Sequence, residues 1–183
     1  LTTPEGIDVL YRLAATCDVF LTNKLPAVRS RLKIELDDLR AHNPAIIYVS
    51  GTGQGERGPD ADRGSYDSLG FWSRARVAAG VMRTEDDLVP TPPGPAFGDS
   101  IGAMTIAGGI MGALFHRERT GEATTVDVSL LGVGMCAQAA SISLSMQMNL
   151  PMMSPSLSMP TRNPLVGTYR TQDNRHVALT CLQ

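Results

Sequence analysis

The chain is sparing with the residues that most often carry metal or redox chemistry. Of 183 residues, 3 are cysteine, 3 are histidine and 5% are aromatic. Cys17, Cys136 and Cys181 are widely spaced and odd in number, which excludes a disulfide framework and the short spacings of a zinc site. Each has apolar neighbours in sequence, so buried, reduced thiols and a cytoplasmic protein are expected. His42, His116 and His176 stand alone, and no metal site is expected. Neither sign of charge dominates: 16 basic residues face 18 acidic ones. No basic stripe is available to neutralise phosphates, so nucleic acid is excluded as a partner. The longest weakly charged run, residues 101–116, is glycine-rich and shorter than the roughly 20 residues of a membrane span. No membrane partner is therefore expected. A signal-peptide pattern, a P-loop lysine and a GxSxG elbow are also missing. The first residue is Leu1, and Gln183 follows directly on a strand-like run, so the chain reads as an internal part of a longer protein.

What is present suits a globular fold, with 43% hydrophobic residues and 19% charged. Residues 4–16 predict a helix with Pro4 in its first turn and Thr3 as cap. Residues 17–22 and 45–50 (CDVFLT and AIIYVS) are short apolar runs that read as buried strands, with a short helix, 36–43, between them. Helices alternating with strands buried on both faces predict a parallel α/β sheet. A helix is expected over 66–79. A proline-rich segment, 89–97, leads into Gly98-Asp99-Ser100 and a small-residue helix over 101–119. Next come a strand at 124–128, a methionine-rich helix at 129–149 and an irregular linker at 150–164. A hairpin with an Asp173-Asn174 two-residue turn closes the chain.

Two places carry chemistry. The first is the loop after the second strand, Gly51-Thr52-Gly53-Gln54-Gly55, because open α/β sheets bind ligands beyond the carboxyl ends of their strands. The second is Asp99, a carboxylate at the entrance to a helix. It reads either as the helix cap or as an ionised nucleophile held by the helix dipole. Gly98 leaves the approach to it open.

Several stretches, taken in order, resemble the middle of class III coenzyme A transferases (the CaiB/BaiF type) and the related alpha-methylacyl-CoA racemases. LTTPEG at 1–6 resembles the segment leading to the family's ENFRPG motif, of which 22–27 keep Asn23 and Pro26. LRAHNP at 39–44, Gly53-Gln54 with Gly58-Pro59, Arg63 with Tyr66-Asp67, Gly98-Asp99, and LFHRERTGE at 114–122 followed by VDVS at 126–129 resemble later family motifs.

The resemblance implies a Rossmann-like large domain with a parallel sheet, the start of a smaller second domain, and an interlocked homodimer. Residues 1–150 would be the central part of the large domain. Residues 151–183 would be a linker and the start of the small one. It implies an acyl-CoA:carboxylate CoA-transferase with Asp99 as nucleophile, working through aspartyl anhydride and aspartyl-CoA thioester intermediates. Its substrates would be an acyl-CoA and a carboxylic acid, with coenzyme A as substrate and no tightly bound cofactor. Asn23, Lys24, Arg31 and Leu32 would line the coenzyme A pocket. Gly51, Gly53, Gln54, Arg63 and Tyr66 would lie nearer the thioester. Two alternatives remain at this stage: a racemase of the same fold, and a CoA-binding or scaffold protein without catalysis. The racemases resemble GHD where this chain has Ser65-Tyr66-Asp67, and a tyrosine with an unperturbed pKa near 10 is a poor base at neutral pH.

Overall fold

The computed structural model describes residues 2–82, 88–149 and 163–181. Helix α1 (Pro4–Ala14) starts as its sequence predicts: Pro4 needs no N–H partner, and the Thr3 hydroxyl accepts the Gly6 N–H at 3.2 Å. Strand β1 (Val19–Thr22) follows, then α2 (Pro26–Leu32), α3 (Leu36–Arg40) and β2 (Ile47–Thr52). Helix α2 is a finding that the sequence pattern did not announce. Pro26 opens it, and Lys33, at φ 54°, ends it in the left-handed region.

Strands β1, β2 and β3 (Thr125–Ser129) form one parallel sheet in that order, with Thr22 opposite Ser50 and Ser50 opposite Asp127. The central strand is buried on both faces. Tyr48 joins Ala14, Leu39 and Ile46 on the α1/α3 side, while Ile47 and Val49 join Ala113 of α5 (Phe97–Thr120) on the other. The alternation follows from the two-residue period of a strand. Tyr48 carries its polar end inward, where its hydroxyl donates to the Ile34 carbonyl at 3.0 Å, and burial pushes its pKa up to about 12.

The helix expected over 66–79 is two pieces. A π-helix (Ser68–Arg74), with Ala75 N–H bonded to the Gly70 carbonyl, gives way at Arg76 (φ 63°) to the short α4 (Val77–Val81). The expected helix at 129–149 is likewise divided into α6 (Leu130–Ala137) and α7 (Ala139–Met148), bent by 68°. Gln138 leaves helical geometry at this joint, and its side-chain amide lies against Gly80. The π-helix, α4 and α6 share a third core of Phe71, Trp72, Val77 and Val133. Fully burying a side chain such as Phe71 contributes roughly 1.5–3 kcal/mol.

Strands β4 (Val166–Arg170) and β5 (His176–Thr180) form an antiparallel hairpin. Its turn has three residues rather than two. Thr171 pairs with Arg175, and Asn174 takes φ 65°, the left-handed position of a three-residue connection. The linker expected at 150–164 falls almost wholly outside the described residues. The three cysteines are exposed, against expectation. Cys17 lies in the turn after α1, Cys136 near the end of α6 and Cys181 just past β5, so apolar neighbours in sequence did not carry them inward.

A buried ion pair ties α2 to the loop after β2. Arg29, 5% exposed, donates through Nη1 and Nη2 to Glu56 at 2.6 and 2.9 Å, and through Nη1 to Ser50 at 3.0 Å. Glu35 Oε2 lies 3.3 Å from Nε on the other side. The bidentate arginine holds Glu56 below the ordinary carboxylate pKa. Glu56→Ala therefore leaves a buried guanidinium short of its main partner. The expected loss is about 3 kcal/mol in urea unfolding at neutral pH, at the low end for a broken buried pair because Glu35 remains. Because the folded-state pKa is depressed, the contribution is complete above the unfolded carboxylate pKa. It fades as pH falls through the lower folded one, so wild type and variant converge in acid.

Candidate active site

The three parallel strands end together, and the chain segments leaving them enclose a cavity of about 420 Å³. From β1 come Asn23 and Lys24, turned at the strand end by Thr22, whose buried hydroxyl accepts the Lys24 N–H at 3.2 Å. From β2 come Gly51, Thr52 and Gly53, and from β3 come Val128 and Leu130. The loop is pinned from two sides, since the Gly53 carbonyl accepts the Leu131 N–H at 3.0 Å and the Gly55 N–H bonds the Thr52 hydroxyl at 3.0 Å. A Cβ on Gly53 would lie 2.1 Å from that of Ser65, so only glycine admits the returning segment 63–66. That segment brings Arg63 and Tyr66 to the cavity wall.

The fourth wall is the start of α5, which supplies Asp99, Gly102, Ala103 and Ile106. The helix begins earlier than its glycine content suggested. Ala96, at φ 55°, is the cap, so Asp99 is the third residue of the first turn and not the cap itself. Gly98 is buried. A Cβ there would meet Asp67 Oδ1 and Phe71 Cγ, each at 2.3 Å. In its absence the Gly98 N–H reaches Asp67 Oδ1 at 3.0 Å. Phe97 packs edge-on against Phe71 and Trp72, and the Trp72 indole N–H donates to the Pro90 carbonyl at 2.6 Å. The first turn of α5 is thus seated on the π-helix.

The helix dipole alone predicts a depressed pKa for Asp99. The direction is the opposite: partial desolvation at the cavity wall, and then the negative charge of Asp67, raise it above the ordinary carboxylate value. A raised pKa makes the carboxylate a stronger nucleophile once ionised.

The cavity brings together Asp99, Asn23, Lys24, Gly51, Gly53, Arg63 and Tyr66. Gln54 does not line it, and its Oε1 is buried without a hydrogen-bond partner among the described residues. Leu32 borders an adjoining hollow that shares Asn23, Lys24 and Gly51. Arg31 lies in a different one, beside Tyr11 and Lys33. Asp67, Arg29 and Glu56 shape the site but did not stand out in the sequence. Asp67 was visible only as the end of the Tyr66-Asp67 pair, and Arg29 and Glu56 are 27 residues apart with no local signal.

Residues 1–183 match the description CoA-transferase family III. The (R)-2-hydroxy-4-methylpentanoate CoA-transferase of Clostridioides difficile is 28% identical over 180 residues, which are 98% of this chain and 44% of that protein. The succinyl-CoA:glutarate CoA-transferase of Mus musculus is 35% identical over 130 residues, 70% of this chain and 29% of that one. A crystal structure of a CaiB/BaiF family protein from Brucella suis superposes with a TM-score of 0.76 at 26% identity, covering 98% of this chain and 46% of that one. The chain therefore spans less than half the length of these relatives.

Gly98→Ala tests the seating of α5. With a Cβ driven into Asp67 and Phe71, the expected cost is about 1–3 kcal/mol, read as a lower thermal midpoint. An unchanged midpoint would contradict the close approach.

Proposed function

The chain belongs to CoA-transferase family III, and from that premise we propose that it is the nucleophile-bearing central part of an acyl-CoA:carboxylate CoA-transferase. The observation that carries the proposal is the convergence of Asp99, Asn23 and the Gly51–Gly53 backbone on one cavity at the carboxyl edge of the parallel sheet. The named relatives support it: both are CoA-transferases by name, one of (R)-2-hydroxy-4-methylpentanoate and the other of succinyl-CoA and glutarate.

In this reading an Asp99 oxygen attacks the thioester carbonyl of the donor. The C–S bond breaks, CoA leaves as its thiolate, and an aspartyl–acyl anhydride remains. The thiolate then attacks the aspartyl carbonyl, releasing the donor acid as carboxylate and leaving aspartyl-CoA. The acceptor carboxylate repeats the sequence in reverse, forming a second anhydride and freeing the thiolate, which takes the acceptor's acyl group and restores Asp99. Lys24 and Arg63 contribute positive charge to a wall where carboxylates enter and leave. Asn23, Lys24, Leu32 and Arg31 form the coenzyme A side, with Arg31 in its own hollow suited to a phosphate. CoA enters as substrate, and no tightly bound cofactor takes part.

The same reading gives residues 1–150 to a large domain and 151–183 to a linker and the start of a second. It also covers an interlocked homodimer in a reducing cytoplasm, in keeping with three free thiols. Helix α5 supports the pairing. It is long and apolar enough to cross a membrane by length and composition, yet one side lies on the sheet. Its other side leaves Met104, Met111 and Phe115 about 70% exposed, an apolar strip that a second chain would cover.

The test is hydroxylamine trapping on the full-length protein incubated with a panel of short, branched and dicarboxylic acyl-CoAs. An Asp99 hydroxamate in the peptide mass spectrum is the expected result, and Asp99→Ala should lose turnover while retaining acyl-CoA binding. Because Asp99 must be ionised to attack and its pKa is raised, kcat should fall as pH drops through a point above the ordinary aspartate value. An unmodified Asp99, combined with exchange of the acyl α-proton into deuterated water, would overturn the transferase reading in favour of a racemase. Turnover surviving Asp99→Ala would remove the nucleophile.

A further inference from the structure

The half-buried Asp67 is not part of the cavity wall, yet its carboxylate is committed to the backbone immediately before the nucleophile. Three independent contacts meet there. Asp67 Oδ1 accepts the Gly98 N–H at 3.0 Å. Phe71 closes the space where a Gly98 side chain would stand. Phe97 is wedged edge-on against Phe71 and Trp72. The residues before the helix offer nothing comparable, because the Ala96 cap has no side chain able to accept a helix N–H. Asp67 therefore replaces the missing cap from across 31 residues of sequence. It also sits directly after Tyr66, which lines the cavity, so one short segment both forms the wall and fixes the helix opposite.

We propose that Asp67 is a positioning residue for the nucleophile. Its carboxylate anchors the first turn of α5 through the Gly98 N–H and so sets the direction in which the Asp99 carboxylate meets the thioester. The inference rests on Asp99 being the nucleophile. An anchor of this kind acts on the chemical step more than on acyl-CoA binding, since the proposed CoA contacts lie on β1, β2 and the segments after them. Lys24 and Arg63 line the same cavity as Asp99, Arg63 being paired with Asp60 at 3.2 Å, and Asp67 acts on Asp99 from the π-helix side. Of these, Asp67 is the one that raises the energy of the ionised nucleophile.

The experiment compares Asp67→Ala and Asp67→Asn in the full-length protein, with Asp99→Ala alongside. Loss of the acceptor oxygen in Asp67→Ala should lower kcat about 10- to 100-fold, the cost of a slightly misplaced reacting group, with the acyl-CoA KM within about threefold. Asparagine keeps an acceptor oxygen, so Asp67→Asn should recover about tenfold or more of that loss. Because it removes the negative charge beside Asp99, its acid limb in kcat should also move to lower pH. Equal kcat in Asp67→Ala and wild type, or a loss confined to KM, overturns the inference. If Asp67→Ala does not fold, Asp67→Glu decides, since it keeps the charge but moves the acceptor oxygen by one methylene: a lower kcat with KM within about threefold supports the role, and wild-type kcat overturns it. Turnover in Asp99→Ala would instead defeat the underlying nucleophile assignment, so the two failures are distinguishable.

Discussion

The site depends on a backbone approach that only a missing side chain permits. At Gly98 the first turn of α5 comes within hydrogen-bond distance of Asp67 and against the ring of Phe71, where any Cβ would collide. The π-helix below it widens the turn at Gly70–Phe71 and turns Phe71 and Trp72 into the core. Insertions of this type recur at functional sites because they re-aim side chains that a regular helix would place elsewhere. Here the effect is to turn one short segment into both a cavity wall and the seat of the opposing helix.

A second constraint holds the other side of the cavity. The Arg29–Glu56–Ser50 cluster joins α2, the end of β2 and the far end of the glycine loop through charges that are largely removed from water. Such a cluster contributes little net stability compared with apolar packing, but breaking it leaves an uncompensated charge. It therefore restricts the loop to one arrangement. Asp127, paired opposite Ser50 on β3, is raised above the usual carboxylate pKa by burial and by Glu56, which extends this electrostatic cluster across the sheet.

Between these supports lies a wall of mixed character. Asp99 is partly desolvated and has its own negative neighbour, while Lys24 and Arg63 line the same cavity. A carboxylate made more basic by its surroundings, and open to the cavity, suits attack on an activated carbonyl better than a fully solvated one. The exposed apolar side of α5 is a different matter of surface chemistry. Small residues let the helix lie close to the sheet at Ala113, while the larger Met104, Met111 and Phe115 face outward.

The amino-acid order alone was enough for the parallel α/β class, the first helix with its Thr3 cap, the two strands on either side of Leu36–Arg40 and the place of Asp99 at the start of a helix. Each of these rests on local signals: apolar runs of strand length, proline and threonine at a helix start, a carboxylate after a glycine. It also carried the family resemblance through short motifs in order. It did not reveal α2, the π-helix, the division at Gln138, the exposure of the cysteines or the three-residue hairpin turn. Those depend on which neighbour each residue meets, and periodicity says nothing about that. The raised pKa of Asp99 was not legible, because a helix terminus is a local feature, whereas desolvation at the cavity wall and then the charge of Asp67, 31 residues before Gly98, come from the packing. Sequence thus determined the residues capable of chemistry and the secondary structure that carries them. Tertiary structure decided which carboxylate accepts the Gly98 N–H and which lines the cavity, because only the packing at Gly98 brings the two together.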